Sequence, residues 1–202
     1  MSGEEVKIAL EVTSTVAIVV ASVVAILGIN AWRKEFHGKR NIELAEEVLA
    51  LFYEAIDAVR AIRSSLGYLG EGATRKPQDG ETAQQKKARD QAYVVYARYE
   101  KRQEVFNRLH SKRYQFMARF GIKKAKPFED LRHIVIEIQV SANRLADIWS
   151  LDERRSEATE KNQLEHESVI WDGSRDDPIA RRLEIVISDI EEICEPMILG
   201  KK

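Results

Sequence analysis

Residues 12–32 read VTSTVAIVVASVVAILGINAW, a stretch without one charged side chain in a chain that is otherwise densely charged. An α-helix rises 1.5 Å per residue, so about 20 such residues cover the roughly 30 Å of a bilayer's hydrocarbon core. Six Val, three Ile and Leu27 fall in this stretch. At roughly −0.3 to −0.6 kcal/mol each near the bilayer centre, they contribute on the order of −3 to −6 kcal/mol toward insertion. Thr13, Ser14, Thr15 and Ser22 return part of that gain, although such hydroxyls can bond carbonyls of their own helix. The expected fold is all-α: one transmembrane helix over 12–32, then a long-helix antiparallel bundle of about four soluble helices. Two other readings compete. A core helix of a soluble protein is usually shorter and polar at intervals. A cleaved signal peptide wants a basic start and a small-x-small site, whereas this chain starts MSGEEVKIALE and offers only Ile29-Asn30-Ala31.

The flanks set the orientation. Glu4, Glu5 and Glu11 oppose Lys7 before the stretch, while Arg33, Lys34, Lys39 and Arg40 oppose only Glu35 after it. Positive charge stays cytoplasmic, so residues 1–11 are expected outside, 33–40 at the inner surface and 41–198 in the cytoplasm. Trp32 and Phe36 stand where interfacial aromatics belong, and the basic cluster can touch anionic headgroups. One face of the span is small: Ala17, Ala21 and Ala25 recur every fourth residue beside Ser14 and Gly28. Small faces let helices approach closely in lipid, which makes a second copy of the chain one expected partner, besides the bilayer itself. Alanine is also common in such helices for no such reason.

The 32 Lys+Arg and 33 Asp+Glu nearly cancel, so no basic excess points to nucleic acid. With four prolines and ten glycines in a few clusters, long uninterrupted helical segments remain. The lone Cys194 excludes an internal disulfide and reads as a small buried hydrophobe of the last helix.

Asn41 to about Leu66 is expected as an amphipathic helix. Ala45, Leu49, Phe52, Ile56, Val59 and Ile62 form its stripe, with Asp57, Arg60 and Arg63 outside it. Gly67 to Gly80 is the long loop. Gly70, Glu71, Gly72, Arg75 and Lys76 make it the best candidate for recognition, since glycine-rich turns with basic residues can face an anion. It lacks the phosphate-loop pattern, and the plainer reading is a helix end and a connector. Glu81 to Phe120 reads as one helix of roughly 60 Å. Its seam includes Ala92, Val95, Tyr99, Arg102, Phe106, Leu109, Arg113 and Phe116. The two arginines either fix register or mark where the packing widens and water enters. Gly121 to Pro127 stops one helix and starts the next. Phe128 to Ser150 has Leu131, Val135, Ile138, Leu145, Ile148 and Trp149 inward, and the charged run Asp152 to Glu167 is expected to stay helical. Asp177 caps a last helix opened by Pro178, with Ile179, Leu183, Val186, Ile190 and Ile193 inward and an end near Pro196.

Chemistry is scarce. Asp130, His133 and Glu137 share a helix face but fall short of the Glu-x-x-His pairs of a di-iron bundle. His166, between two glutamates, reads as a solvated histidine. No nucleophile elbow or dinucleotide fingerprint appears, and neighbouring acids such as Glu46-Glu47 point to different faces. No catalytic residue, metal or cofactor is expected. Trp32-Arg-Lys-Glu35, Gly38-Lys-Arg40, Glu43-Leu-Ala-Glu-Glu47, Phe52-Tyr-Glu-Ala55, Ile62-Arg-Ser64, Gly70-Glu-Gly72 and Arg75 together resemble small bacterial single-pass inner-membrane proteins of unknown function. The resemblance covers Trp32 to about Arg75; it implies a bacterial inner-membrane setting and brings no activity. The leading expectation is a non-enzymatic, membrane-anchored scaffold or sensor that self-associates and can hold a further protein partner. The alternatives are a subunit of an oligomeric membrane effector or channel, and a membrane-surface enzyme using the Gly67–Gly80 loop.

Overall fold

The computed structural model describes residues 3–67, 70–151, 156–173 and 176–200, with the side chains of 4–12 left out. The charges expected before the span therefore lie outside the described side chains, as do 68–69, 152–155 and 174–175. Among the described residues the chain is all-helical, with six α-helices and no strand. They are α1 Gly3–Arg63, α2 Ala83–Glu100, α3 Gln103–Phe120, α4 Lys126–Ser150, α5 Glu157–Ile170 and α6 Pro178–Ile198. Short 3₁₀ turns occupy Glu71–Thr74 and Ile122–Ala125.

The chain divides into residues 1–44 and 45–202. In the first, the α-helical ladder runs through the apolar stretch, and the Ser22 hydroxyl donates to the Ile18 carbonyl at 2.8 Å. Trp32 and Phe36 stack at 5.5 Å, with the Arg40 guanidinium 5.7 Å from the Phe36 ring.

In the second unit, Ala45, Val48, Phe52, Ala55, Val59 and Ile62 are buried. Their alternating three- and four-residue spacing lays one stripe along a 3.6-residue helix. Leu49 is only half-buried, because the stripe runs through Val48 and Leu51. α4 is the central element, touching α2, α3, α5 and α6. Its inward face holds Phe128, Leu131, Val135, Ile138 and Leu145 as expected, and adds Ile134, Ser141 and Ala142. Ile148 and Trp149 are half-buried, the Trp149 indole N–H donating to Glu167 at 3.1 Å. Phe128 packs edge-on against Phe52 at 4.8 Å and tilted against Phe116 at 5.3 Å. Such pairs add about 0.5–1.5 kcal/mol beyond the area they bury.

Several helix ends follow their sequence signals. Thr82 and Gln85 form a reciprocal capping box at the start of α2. Gly121 closes α3, its N–H on the Met117 carbonyl at 3.0 Å, in a conformation (φ 93°, ψ 154°) that side-chain-bearing residues avoid. Asp177 caps α6 by accepting from the Ile179 and Ala180 amides at 2.9 and 3.0 Å.

Three expectations need correction. Glu81 to Phe120 is two helices rather than one. At Lys101–Arg102 the Arg102 amide bonds Tyr99 three residues back, and Arg102 leaves helical geometry (φ −120°, ψ 4°). Glu100 to Gln103 are four consecutive polar residues, so no apolar side chain holds that turn against the core. The second break follows Ser150: Leu151 is extended, and α5 restarts with the Ser156 hydroxyl accepting from the Thr159 amide. Last, α6 continues through Pro196 to Ile198, with Cys194 rather than Ile193 fully buried. Proline removes one amide donor there, and the turn around it is exposed to water.

Candidate functional site

Among the described residues of 45–202, three clusters bring charged groups together, and two of them are already saturated. The first joins the ends of α1, α5 and α6. Arg63, expected on the outer face, is 2 % exposed. It stands seven residues after buried Ile56, on the packed side of the helix. Its guanidinium donates to the carbonyls of Val169, Ser168 and Trp171 at 2.8–2.9 Å and to Asp177 at 2.8 Å. Ser168 and Val169 lie in the last turn of α5 and Trp171 is its C-cap, so these are carbonyls at a helix end that the helix itself leaves without partners. Asp177 thus serves α6 as cap and Arg63 as counter-ion. Burial raises its carboxyl pKa, but Arg63 and the cap amides outweigh that and hold it below the ordinary range.

Arg98 does the same for α1. It is 4 % exposed and donates to the carbonyls of Ile62 and Leu66 at 3.2 and 3.1 Å, to that of Ser64, and to Glu71 at 2.7 Å. The Trp171 ring lies 5.9 Å from its guanidinium. A cation among orphan carbonyls at a helix C-terminus is placed where the helix dipole favours it.

The second cluster is the loop singled out as a recognition surface. Glu71 belongs to Arg98. Gly72 is pressed so closely on α2 that an added Cβ would sit 1.7 Å from the Asp90 carbonyl oxygen. Arg75 grips Glu81 through both terminal nitrogens at 2.8 and 2.7 Å and Asp90 through Nε at 2.9 Å. Arg89 reaches Glu81 at 2.7 Å and Lys86 reaches Asp90 at 2.6 Å. Hydrogen bonds from Arg75 first, then Arg89, lower the Glu81 pKa to about 2. Gly70, with a left-handed φ of 89°, and Lys76 are exposed. Cations and carboxylates therefore consume one another here, and the loop is bolted to α2.

The third cluster is open. A cleft of about 320 Å³ lies between α3 and α4, with Tyr99 of α2 also in its lining. Tyr99 and Phe106 stack at 5.2 Å, and Phe128, Leu131 and Val135 supply buried apolar wall. Its polar lining includes His110, Arg113, Glu129, Arg132 and Gln139. Arg113 pairs with Glu129 through Nη2 and lies 6.0 Å from the Tyr114 ring. Its Nε is the buried side-chain donor left without a partner among the described residues. Leaving such a group unpaired costs about 1–3 kcal/mol. Of the two seam arginines, Arg113 borders this opening, whereas Arg102 bonds back to the Arg98 carbonyl at 3.3 Å. The lining joins these polar groups to an apolar and aromatic wall, the composition of a ligand pocket.

Of the remaining candidates, Asp130 is paired with Lys126 and Glu137 with Arg182. Among the described residues no group of three or more His, Cys, Asp or Glu is placed to hold a metal. His166 is half-buried and meets the hydroxyl of buried Ser141 at 3.2 Å. Burial pushes the Cys194 thiol up to about 11. Trp32, Arg33, Lys34, Phe36, Lys39 and Arg40 are exposed, as are Ser14, Ala17, Ala21, Ala25 and Gly28. Comparison with family profiles, with curated proteins and with solved structures gave no match.

Proposed function

We propose that this chain is a non-enzymatic helical sensor or scaffold, anchored by residues 12–32 in a bacterial inner membrane. The N-terminus lies outside, and residues 41–198 form an antiparallel bundle in the cytoplasm. The short connection of 121–125 and the packing of α4 against α2, α5 and α6 support that bundle arrangement. One observation carries the anchor: α1 has a window long and apolar enough to cross a membrane, and among the described residues none of that window is buried. Val16, Ile18, Val20, Val24 and Leu27 are each more than half exposed. Burying side chains of this kind gains about 1.5–3 kcal/mol apiece, so the stretch needs a cover from outside the chain. Lipid is the cover whose thickness matches. Self-association through Ser14, Ala17, Ala21, Ala25 and Gly28 is part of the proposal. Against the enzymatic alternative stands the internal pairing of Arg75, whose donors are spent on Glu81 and Asp90.

Membrane fractionation tests the reading. The full chain should resist alkaline carbonate extraction at its full mass, with a C-terminal green fluorescent protein bright and a C-terminal alkaline phosphatase silent. A product shortened near residue 32, or an active phosphatase, would overturn it. Light scattering in detergent should give a multimer for the full chain and a smaller species after truncation before Arg33.

A further inference from the structure

We infer that the α3–α4 cleft is a binding site for a small organic acid, a carboxylate on an apolar body. Its volume of about 320 Å³ lies at the lower end of the range for ligand pockets, room for one compact molecule but not for a peptide helix. The walls are apolar and aromatic: Tyr99 and Phe106 present stacked faces, with Phe128 and Leu131 buried beside them. The charges lining it are two cations, Arg113 and Arg132, against one anion, Glu129, leaving one positive charge in excess. Glu129 occupies only Nη2 of Arg113, and Nε–H is left with no acceptor. A carboxylate in the cleft supplies the missing negative charge, and turning the Arg113 side chain toward it would give the buried Nε–H its acceptor. A neutral apolar molecule supplies neither. The guanidinium fork can hold two carboxylates on different edges, which is the geometry this pairing calls for.

The inference deepens the sensor reading by naming what is sensed, and rests on that reading only for its purpose in the cell. A chain that binds acids but fails the fractionation test would sink the anchor and keep the cleft; the reverse result would do the opposite.

The test is calorimetric titration of the full chain in lipid nanodiscs, with empty nanodiscs subtracted. Three probes are used: 2-naphthoate, decanoate and the neutral 2-naphthalenemethanol. Saturable binding of one acid per chain is expected, naphthoate above decanoate if the source is an aromatic acid and the order reversed if it is a fatty acid. Arg113→Gln should weaken the preferred acid about tenfold or more and leave the alcohol within about twofold, the scale of one charge-assisted hydrogen bond. Ile136→Trp, at a cleft position 43 % exposed and so tolerant of bulk, should abolish both. Circular dichroism verifies that each variant is folded. Absence of saturable binding by either acid, or equal affinity in wild type and Arg113→Gln, overturns the proposal.

Discussion

Residues 13–32 and 45–63 belong to one helix, and both are rich in Val, Ile, Leu and Ala, yet they treat water in opposite ways. The later stretch keeps its apolar atoms on one stripe, covered by side chains such as Phe128, and turns Glu54, Asp57 and Arg60 outward. In the earlier stretch apolar side chains stand on every face, and among the described residues none of that window is buried. The lesson is that apolar content alone does not say where a helix lives. What decides is whether polar residues interrupt it with the helical period, because only then can one face dissolve while another packs. A charge therefore means different things in the two stretches: within 13–32 it would interrupt a surface that is apolar all round, whereas Arg63 is the fastening of 45–63.

The sharpest way to break this contrast is Arg63→Ala. It strips three carbonyls and Asp177 of their shared donor, and removing one member of a buried pair costs about 3–5 kcal/mol. Urea unfolding followed by circular dichroism should show that loss, while membrane fractionation stays unchanged. A midpoint within error of wild type would mean that the buried arginine is not a fastening. Next in size is Val20→Arg. A central arginine raises the cost of insertion by about 2.5–3.5 kcal/mol, so the fraction resisting carbonate should fall, with the unfolding of residues 45–200 unaltered. If unfolding shifts as well, the two stretches are not independent. The smallest effect is acidic. Glu81 has its pKa lowered from 4.5 to about 2, and Asp90 and Asp177 are also lowered. A group with a depressed folded-state pKa contributes stability that is complete above its unfolded value and fades as protons are added. Unfolding midpoints should thus be flat above about pH 5 and fall between roughly pH 4.5 and 2. In Glu81→Gln that acid slope should be shallower; an unchanged slope would show that Arg75 and Arg89 do not hold the carboxylate.

Much of the helix pattern was open to reading. Gly121 and Pro127 marked a stop and a start, Asp177 and Pro178 opened α6, and the stripe from Ala45 to Ile62 needed correction only at Leu49. The Lys101–Arg102 break was not legible, because it carries no glycine or proline and rests on a missing apolar anchor. The buried arginines were hidden for another reason. Arg63 and Arg98 are spelled like the solvated arginines around them, and most of their acceptors are backbone carbonyls, which every residue has. Position held a faint clue, since Arg63 falls seven residues after Ile56 and Arg98 three after Val95. Of the cleft, the sequence offered Arg113 as an odd seam residue; its orphan donor emerges only from three-dimensional packing.

Asp177 follows Arg63 by 114 residues, and that distance has a consequence for biosynthesis. At about 5–20 residues per second, the ribosome adds Asp177 roughly 6–23 s after Arg63. Throughout that interval the newborn first helix carries a cation whose counter-ion has yet to be translated. The native fastening can close only once Asp177 has emerged from the ribosome, so chaperones would meet residues 45–176 with that joint still undone.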